Sequence, residues 1–223
     1  DCEFSDNSAN NGGAVHWSGS DGEITDCEFS DNSANNGGAI YWSQYNADIE
    51  NCEFYSNDAN NMGGAVYIGG SDSYIDSSTF DSNIAFRGGA VYWDGEGTLI
   101  DSVFTNNVAS SNGGAVYWEG NNGELNSTTF INNIASNSGG AVYWNTYEGL
   151  IFDCDFTYNS AGKYGGALLW SSYGKISLCD FTNNKVLDGQ GGAVYKTEYD
   201  STEFSNCNFI NNTARGDYSA LYF

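Results

Sequence analysis

The sequence contains no proline and has little methionine, histidine or positive charge. Among its 223 residues are one methionine, one histidine and six lysines and arginines, against 29 aspartates and glutamates. The net charge of -23 repels phosphate groups, so we expect no nucleic-acid partner. No apolar run approaches the roughly 18 residues that a membrane-spanning helix needs, so we expect no membrane insertion in this segment.

Glycine and aromatic residues are abundant instead. The chain has 29 glycines, 16 tyrosines, 13 phenylalanines and six tryptophans. Acidic disordered chains lack aromatic residues, whereas here 16% of the residues are aromatic and can be buried. The composition therefore predicts a folded and highly acidic protein.

One phrase repeats along the whole chain. CEFSDNSANNGGAVHW at 2–17 returns as CEFSDNSANNGGAIYW at 27–42, and looser copies follow at intervals of 25 to 27 residues. The alanine that ends each Gly-Gly-Ala marks the period, once without its glycines: Ala14, Ala39, Ala65, Ala90, Ala115, Ala141, Ala167, Ala193 and Ala220. No shift in composition divides the chain, so we expect one domain over 1–223, an excerpt of a longer repeat protein.

The spacing inside each copy predicts strands rather than helices. Apolar residues lie two apart, as in Cys-x-Phe and Val-x-Trp, and Gly, Asn, Asp and Ser separate the pairs. Three short strands fit each copy: one through Gly-Gly-Ala-Val-Tyr-Trp, one around Ile24 and one through Cys27-Glu28-Phe29. We therefore predict an all-β fold, a single right-handed parallel β-helix of about nine coils of 25–26 residues with three strands per coil.

Stacked coils place equivalent residues in columns about 4.8 Å apart. An asparagine follows the phenylalanine of every copy by three positions, and we predict a structural ladder in which each amide bonds the next coil. The ladder comprises Asn7, Asn32, Asn57, Asn83, Asn107, Asn133, Asn159, Asn184 and Asn212. The paired glycines predict a tight corner of the coil.

All six cysteines share one column. They form two groups of three, separated by copies that carry Ser78, Ser102 and Thr128 in the same place. Side chains in a ladder rarely have disulfide geometry, and replacement by serine and threonine indicates a small inward residue. We predict free, buried thiols, and no zinc site, because His16 is the only histidine and a column does not converge on one point.

Two aromatic columns follow Gly-Gly-Ala, one mostly tyrosine and the next mostly tryptophan. Because alternate residues of a strand face opposite sides, only one of them lines the core. The tryptophans share a face with an aliphatic column, so we expect them inside, although Lys196 in this column favours the opposite phase. The tyrosines would then form an exposed stripe, a candidate surface for sugars or another protein. Its members are Tyr41, Tyr67, Tyr92, Tyr117, Tyr143 and Tyr195. The alternative is that the rings only pack on one another.

The turns after the tryptophan column are acidic. Calcium ligands drawn from Asp21, Glu23, Asp48 or Asp94 are conceivable, but no spacing matches a known calcium loop. We therefore predict no cofactor and a solvated acidic edge. Two glycosylation sequons begin at Asn126 and Asn211, both of them weak three-residue matches.

Phe-x-x-Asn and Gly-Gly-Ala-Ile/Val resemble the repeats of the chlamydial polymorphic membrane proteins. TTFINNIASNSGGAVYW at 128–144, preceded by EGNNGEL at 119–125, is also similar to adhesin-like surface proteins of methanogenic archaea. The resemblance covers the whole chain and implies export, an extracellular or cell-surface location and contact with other cells or host glycans. It carries no catalytic residues over to this sequence.

Three functions compete at this point. We predict a non-catalytic, adhesin-like shaft that attaches to a glycan or protein on another cell. The alternative is a structural segment of an extracellular filament or sheath, in which further copies join end to end. A polysaccharide lyase or hydrolase is a third and weaker possibility, because its acidic residues need basic partners, and the six here are scattered singly along the chain.

Overall fold

The computed structural model describes residues 2–197, 201–215 and 220–223. Within these residues the chain forms 34 short strands and no α-helix. All strands pair in parallel, and the chain returns to each sheet once per turn, giving a right-handed solenoid of about eight turns. The predicted fold class is confirmed. Among the described residues there is no helix long and apolar enough to span a membrane.

Two sheets contain nine strands each, and each is named here for its largest inward residue. The phenylalanine sheet comprises β1 (Cys2–Ser5), β4 (Cys27–Ser30), β8 (Glu53–Tyr55), β12 (Thr79–Asp81), β16 (Val103–Thr105), β20 (Thr129–Ile131), β24 (Asp155–Thr157), β28 (Asp180–Thr182) and β32 (Asn208–Ile210). The tryptophan sheet comprises β2 (Val15–Trp17), β6 (Ile40–Trp42), β10 (Val66–Ile68), β14 (Val91–Trp93), β18 (Val116–Trp118), β22 (Val142–Trp144), β26 (Leu168–Trp170), β30 (Val194–Lys196) and β34 (Leu221–Tyr222).

The other two sheets contain eight strands each. The isoleucine sheet comprises β3 (Gly22–Thr25), β7 (Ala47–Glu50), β11 (Ser73–Asp76), β15 (Gly97–Ile100), β19 (Gly123–Asn126), β23 (Gly149–Phe152), β27 (Gly174–Ser177) and β31 (Thr202–Ser205). The alanine sheet comprises β5 (Ser33–Asn36), β9 (Asp58–Met62), β13 (Ile84–Arg87), β17 (Val108–Asn112), β21 (Ile134–Ala135), β25 (Ser160–Ala161), β29 (Lys185–Val186) and β33 (Thr213–Ala214).

The alanine sheet is a difference from the prediction, which allows three strands per coil rather than four. Its first strand reads Ser-Ala-Asn-Asn, and polar residues of this kind have low strand propensity. Pairing along the axis imposes the strand: the Ser33 amide donates to the Asn7 carbonyl at 2.9 Å, and Ser33 pairs with Asp58 in register. A strand that depends on hydrogen bonds to neighbouring coils cannot be predicted from the strand propensity of its own residues.

Equivalent residues stack directly on one another, as predicted. Phe29 pairs with Phe54, and their ring centroids lie 4.9 Å apart with a 6° angle between the planes. The stack continues without a break through the phenylalanine of every coil, with centroid spacings of 4.5 to 5.0 Å. A single coil has no cover for these rings, so the core exists only because coils stack.

The tryptophan column faces the core, and its predicted orientation is confirmed. Five tryptophans are fully buried: Trp42, Trp93, Trp118, Trp144 and Trp170. Lys196 continues the same column above Trp170 and is only 4% exposed, so its position does not reverse the phase of the strand.

Left-handed backbone makes the corners. Between the phenylalanine and alanine sheets every coil has one residue with φ between 53° and 60°, in most coils the Asn or Asp that tolerates this conformation best. At the Gly-Gly corner, Gly113 has φ 67°, and a Cβ on Gly114 would lie 1.9 Å from the Gly140 carbonyl oxygen. The first glycine supplies the turn, and the second allows the coils to approach.

Candidate functional site

The tyrosine column lies on the outer side of the tryptophan sheet. Ring centroids are separated by 4.6 Å from Tyr41 to Tyr67, 5.4 Å to Tyr92, 5.1 Å to Tyr117 and 4.7 Å to Tyr143. Leu169 ends this stack, and two tyrosines further along the chain form a second one. Stacking covers the ring faces, so a ligand approaching from solvent meets ring edges and hydroxyl groups.

The stripe is less exposed than predicted at its centre. Tyr92 and Tyr117 are only 4% and 5% exposed, which corrects their assignment to an exposed stripe. The Arg87 guanidinium lies over the Tyr117 ring, 5.6 Å from its centroid, and Glu119 accepts a hydrogen bond from the Tyr92 hydroxyl. The remaining members of the predicted stripe are half-buried: Tyr41, Tyr67, Tyr143 and Tyr195.

Two carboxylates face the hydroxyl groups at the centre of the column. The Tyr67 hydroxyl donates to Asp94 Oδ2 at 3.5 Å, and Tyr92 repeats this contact with Glu119 one coil later. Burial, with the charge of Asp94, raises the pKa of Tyr67 to about 12, and burial raises the pKa of Tyr117 to about 12 as well. Burial and the neighbouring Glu119 also raise the pKa of Asp94. The tyrosines are therefore protonated at neutral pH and act as hydrogen-bond donors.

Two residues of this cluster were not singled out in the sequence. Glu119 and Arg87 both contact the tyrosines, although neither is among the site residues predicted from the sequence. Glu119 could have been found, because it follows the tryptophan of its coil in the same position as Asp94. Arg87 comes from the alanine sheet, and only the corner between the two sheets brings it over the outer face of the tryptophan sheet.

The asparagine column is an internal ladder. At Asn107, Oδ1 accepts from the backbone amide and the side chain of Asn83, both at 3.0 Å. Its Nδ2 donates to Asn133 Oδ1 and to the Phe80 carbonyl, again at 3.0 Å. Asn107 is fully buried, and four hydrogen bonds use both donors and the acceptor of its side chain. Nothing is left over for a ligand.

The cysteines are free thiols in a column of small hydrogen-bonding residues. Cys52, Cys154 and Cys179 are buried as predicted, whereas Cys27 and Cys207 are only half-buried. Cys2 is exposed, because no described coil covers its outer side, and this corrects the prediction of burial for it. The Cys52 thiol donates to the Glu50 carbonyl at 3.2 Å, and burial raises the pKa of Cys52 to about 11. Thiols held in this way are protonated and unreactive at neutral pH.

The serines and threonine of the same column make the equivalent bond. Ser78 donates to the Asp76 carbonyl at 2.8 Å, and its hydroxyl accepts the Cys52 amide at 3.1 Å. Hydroxyl and thiol side chains thus make the same hydrogen bond, which explains why Cys, Ser and Thr can replace one another in this column.

The acidic turns do not converge as a metal site. Asp21, Glu23 and Asp48 line one shallow groove, in which the Asn46 side chain donates to Asp21. Asp94 lies elsewhere, beside the tyrosine column. Among the residues that the structure describes, no three His, Cys, Asp or Glu side chains form a group that could hold a metal ion.

The two sequons differ in their surroundings. Asn126 receives a hydrogen bond from Ser127 at 3.0 Å, and the hydroxyl of the sequon's Thr128 is buried and bonded to the Asn126 carbonyl at 2.7 Å. Asn211 and Thr213 are both exposed, at a corner where Asn211 has φ 53°. Glycosylation stays a prediction at both, and Asn211 is the more accessible.

Comparison with known proteins supports the geometry. Residues 64–221 match the model of the right handed beta helix region, so the chain belongs to that family. Residues 1–16 and 26–41 match the Chlamydia polymorphic membrane protein repeat, so the first two copies are similar to that repeat. No curated protein and no solved structure matches the chain.

Proposed function

We propose that the chain is the shaft of a non-catalytic, adhesin-like protein of the cell surface, which attaches to a glycan or protein on another cell. The match of the first two copies to the Chlamydia polymorphic membrane protein repeat carries this proposal. A location outside the cell is consistent with the acidic surface, which keeps a rod with a net charge of -23 soluble.

The tyrosine column is the surface on which we place the attachment. Since neighbouring rings cover one another's faces, sugar rings cannot stack on them, and recognition occurs through hydroxyl groups and ring edges. The accessible hydroxyl donors belong to half-buried members such as Tyr41 and Tyr143. Glycans, with their many hydroxyl groups, match a row of donors spaced about 4.8 Å apart.

The regularity of the rod supports a role without catalysis. Hydrolytic sites bring an acid and a base or nucleophile to one point, held by departures from the regular fold. Here the asparagine ladder runs from coil to coil without a gap, and each basic residue stands singly, at least ten positions from the next in the sequence. In the proposed attachment role, the interior of the rod supports the fold, and only outward side chains contact the ligand.

Binding of the purified chain to a glycan array and to cultured cells tests the proposal. Tyr143→Phe removes one hydroxyl group but keeps the stack, because phenylalanine rings stack in the same way in the phenylalanine sheet. We expect at least a fivefold loss of binding in Tyr143→Phe together with Tyr41→Phe. Tyr147→Phe is the matched control, because Tyr147 is 65% exposed and lies outside the column.

Two results would contradict the proposal. Equal binding by the double variant and by the Tyr147→Phe control would remove the column from the attachment surface. An absence of binding to every glycan and cell type, with assembly of the purified chain into long fibres, would favour the filament instead.

A further inference from the structure

A stripe of apolar side chains lies on the outer face of the alanine sheet. Ile84 pairs with Val108, and Val108 pairs with Ile134, so the three side chains occupy consecutive coils in register. Ile84 and Ile134 are 49% and 45% exposed. Phe86, 42% exposed, lies on the same face as Ile84, because Ala85 between them points inward.

This stripe lies on an otherwise highly charged molecule. Large aliphatic and aromatic side chains that gather on one exposed face mark an interaction surface more often than scattered single ones do. The surface is the outer face of a parallel sheet held by the core behind it, so it is formed before any partner binds. A preformed apolar face avoids much of the ordering cost of association.

Opposite charges lie at the two ends of the stripe. Asp58 precedes Ile84 in the outward column, and Lys185 follows Ser160 in it, so the four positions between the two charges are uncharged. Asp58 and Lys185 are both exposed.

The same asymmetry of charge, with basic residues toward the C-terminal end, extends along the whole chain. No lysine or arginine precedes Arg87, and five of the six basic residues follow residue 160. Acidic residues occur at both ends, including Asp188 near the basic end. The N-terminal end of the face is thus purely acidic, and the C-terminal end is mixed.

We propose that this face binds a second copy of the chain in antiparallel orientation, through a two-fold axis that crosses the stripe between Val108 and Ile134. Such an interface is isologous, with the same patch on both copies. Val108 of one copy then lies against Ile134 of the other, and Asp58 lies against Lys185. The interdigitated side chains fill the gaps of the facing column, as they do between packed sheets about 10 Å apart.

Charge selects both the partner and the orientation. A parallel dimer would place Asp58 opposite Asp58 and the acidic ends together, and like charges held in contact are unfavourable. The antiparallel dimer instead faces each acidic end with the end that contains the lysines.

Sedimentation equilibrium of the chain at micromolar concentrations tests the proposal. We expect a mass of twice the 24.0 kDa of the monomer. Ile134→Asp should raise the dimer dissociation constant at least tenfold, and the fold should tolerate it, because Asp58 occupies the same column. Val103→Asp is the matched control, since Val103 is 37% exposed on the phenylalanine sheet and its column also accepts Asp155.

A charge exchange tests the orientation. Asp58→Lys and Lys185→Asp should each weaken the dimer several-fold, and the double variant should recover most of the loss. Circular dichroism and thermal melting confirm that each variant is folded. A monomer at all concentrations, equal dimerisation of Ile134→Asp and wild type, or a double variant weaker than both single variants would each overturn the proposal.

Discussion

The N-terminal coils, residues 2–72, and the central coils, residues 73–148, differ on the outside far more than on the inside. Inside, the phenylalanine stack and the asparagine ladder pass from one region to the other unchanged. Outside, the phenylalanine sheet presents a glutamate column in the N-terminal coils, Glu3, Glu28 and Glu53. The central coils present Thr79, Val103 and Thr129 in the same positions.

This difference separates two kinds of constraint. An inward residue contacts the same residue in the coils above and below, so a change at one position requires a matching change in its neighbours. An outward residue also lies beside its equivalents in neighbouring coils, but its side chain faces solvent rather than a packed core, so its identity can vary more. Regional character, whether acidic, apolar or tyrosine-rich, is therefore confined to outward columns, and these are the columns on which both proposed interactions rest.

The largest effects should come from the asparagine ladder, and they should be equal in the two regions. Asn57→Ala and Asn107→Ala each remove four hydrogen bonds at a fully buried position. Each leaves buried donors and acceptors unsatisfied, so we expect about 3 kcal/mol or more of lost stability per variant. Urea unfolding followed by circular dichroism measures both.

A clear inequality would contradict the uniform ladder. If one of the two alanine variants costs less than a third of the other, the rungs are not equivalent and the interior does differ between the regions. Asn35→Ala, in the exposed part of the alanine sheet, is the control and should change stability by less than about 1 kcal/mol.

Substitutions in the column of cysteines, serines and threonine should change stability less than those in the asparagine ladder. They test whether the residue of one region can replace that of the other. Cys52→Ser in the N-terminal coils and Ser102→Cys in the central coils should each cost less than about 1 kcal/mol, because thiol and hydroxyl make the same bond. In the wild-type chain the Ser78 amide donates to Ser102 Oγ at 3.1 Å. The valine side chain of Ser102→Val has no donor or acceptor, so this amide loses its partner. We expect about 2 kcal/mol for this variant.

Thermal unfolding of the three variants measures how much the hydrogen bond of this column contributes to stability. If Ser102→Val is as stable as Ser102→Cys, the hydrogen bond of the column is unimportant, and only the size of the side chain matters there.

Alkaline pH should act on two buried groups, Cys52 and Tyr117, in sequence. Burial raises the pKa of Cys52 to about 11, so the unfolded chain loses this proton first, from about pH 9, and stability falls over pH 9–11. The pKa of Tyr117, raised mainly by burial to about 12, makes the unfolded tyrosine ionise first from about pH 10, and stability falls over pH 10–12. Both groups favour folding below these ranges.

Denaturation midpoints measured between pH 8 and pH 12 separate the two contributions. Cys52→Ser should flatten the first part of the decline, and Tyr117→Phe the second. A decline that neither substitution alters would assign the alkaline sensitivity to other groups.

The repeat in the sequence predicts most of the fold, because equivalent letters in successive copies must touch. Phe29 and Phe54 are predicted partners for that reason, and they pair. The alanine sheet is missed because Ser33 and its neighbours have low strand propensity, and backbone pairing between coils creates the strand.

The candidate site is predicted only in part. Alternation along the strand places the tyrosines outside, which holds. It does not predict that Tyr117 is covered, because Arg87 reaches it from a different sheet. Contacts inside one column can be read from the period, whereas contacts across a corner depend on the backbone path between two columns.

The smallest expected effect concerns the glutamate column, the clearest external difference between the regions. Glu28 lies in register between Glu3 and Glu53, and like charges on directly paired strands repel. Glu28→Gln should therefore stabilise the chain, by roughly 0.2–1 kcal/mol at low salt. Glu124→Gln is the matched control, because Glu124 pairs with Thr98 and Leu150 and has no charged neighbour in its column. Since salt screens exposed charges, the difference between the two variants should shrink in 1 M salt. Equal melting temperatures for the two variants at low salt would mean that the stacked glutamates do not repel measurably, and that the acidic character of the N-terminal coils costs the fold nothing.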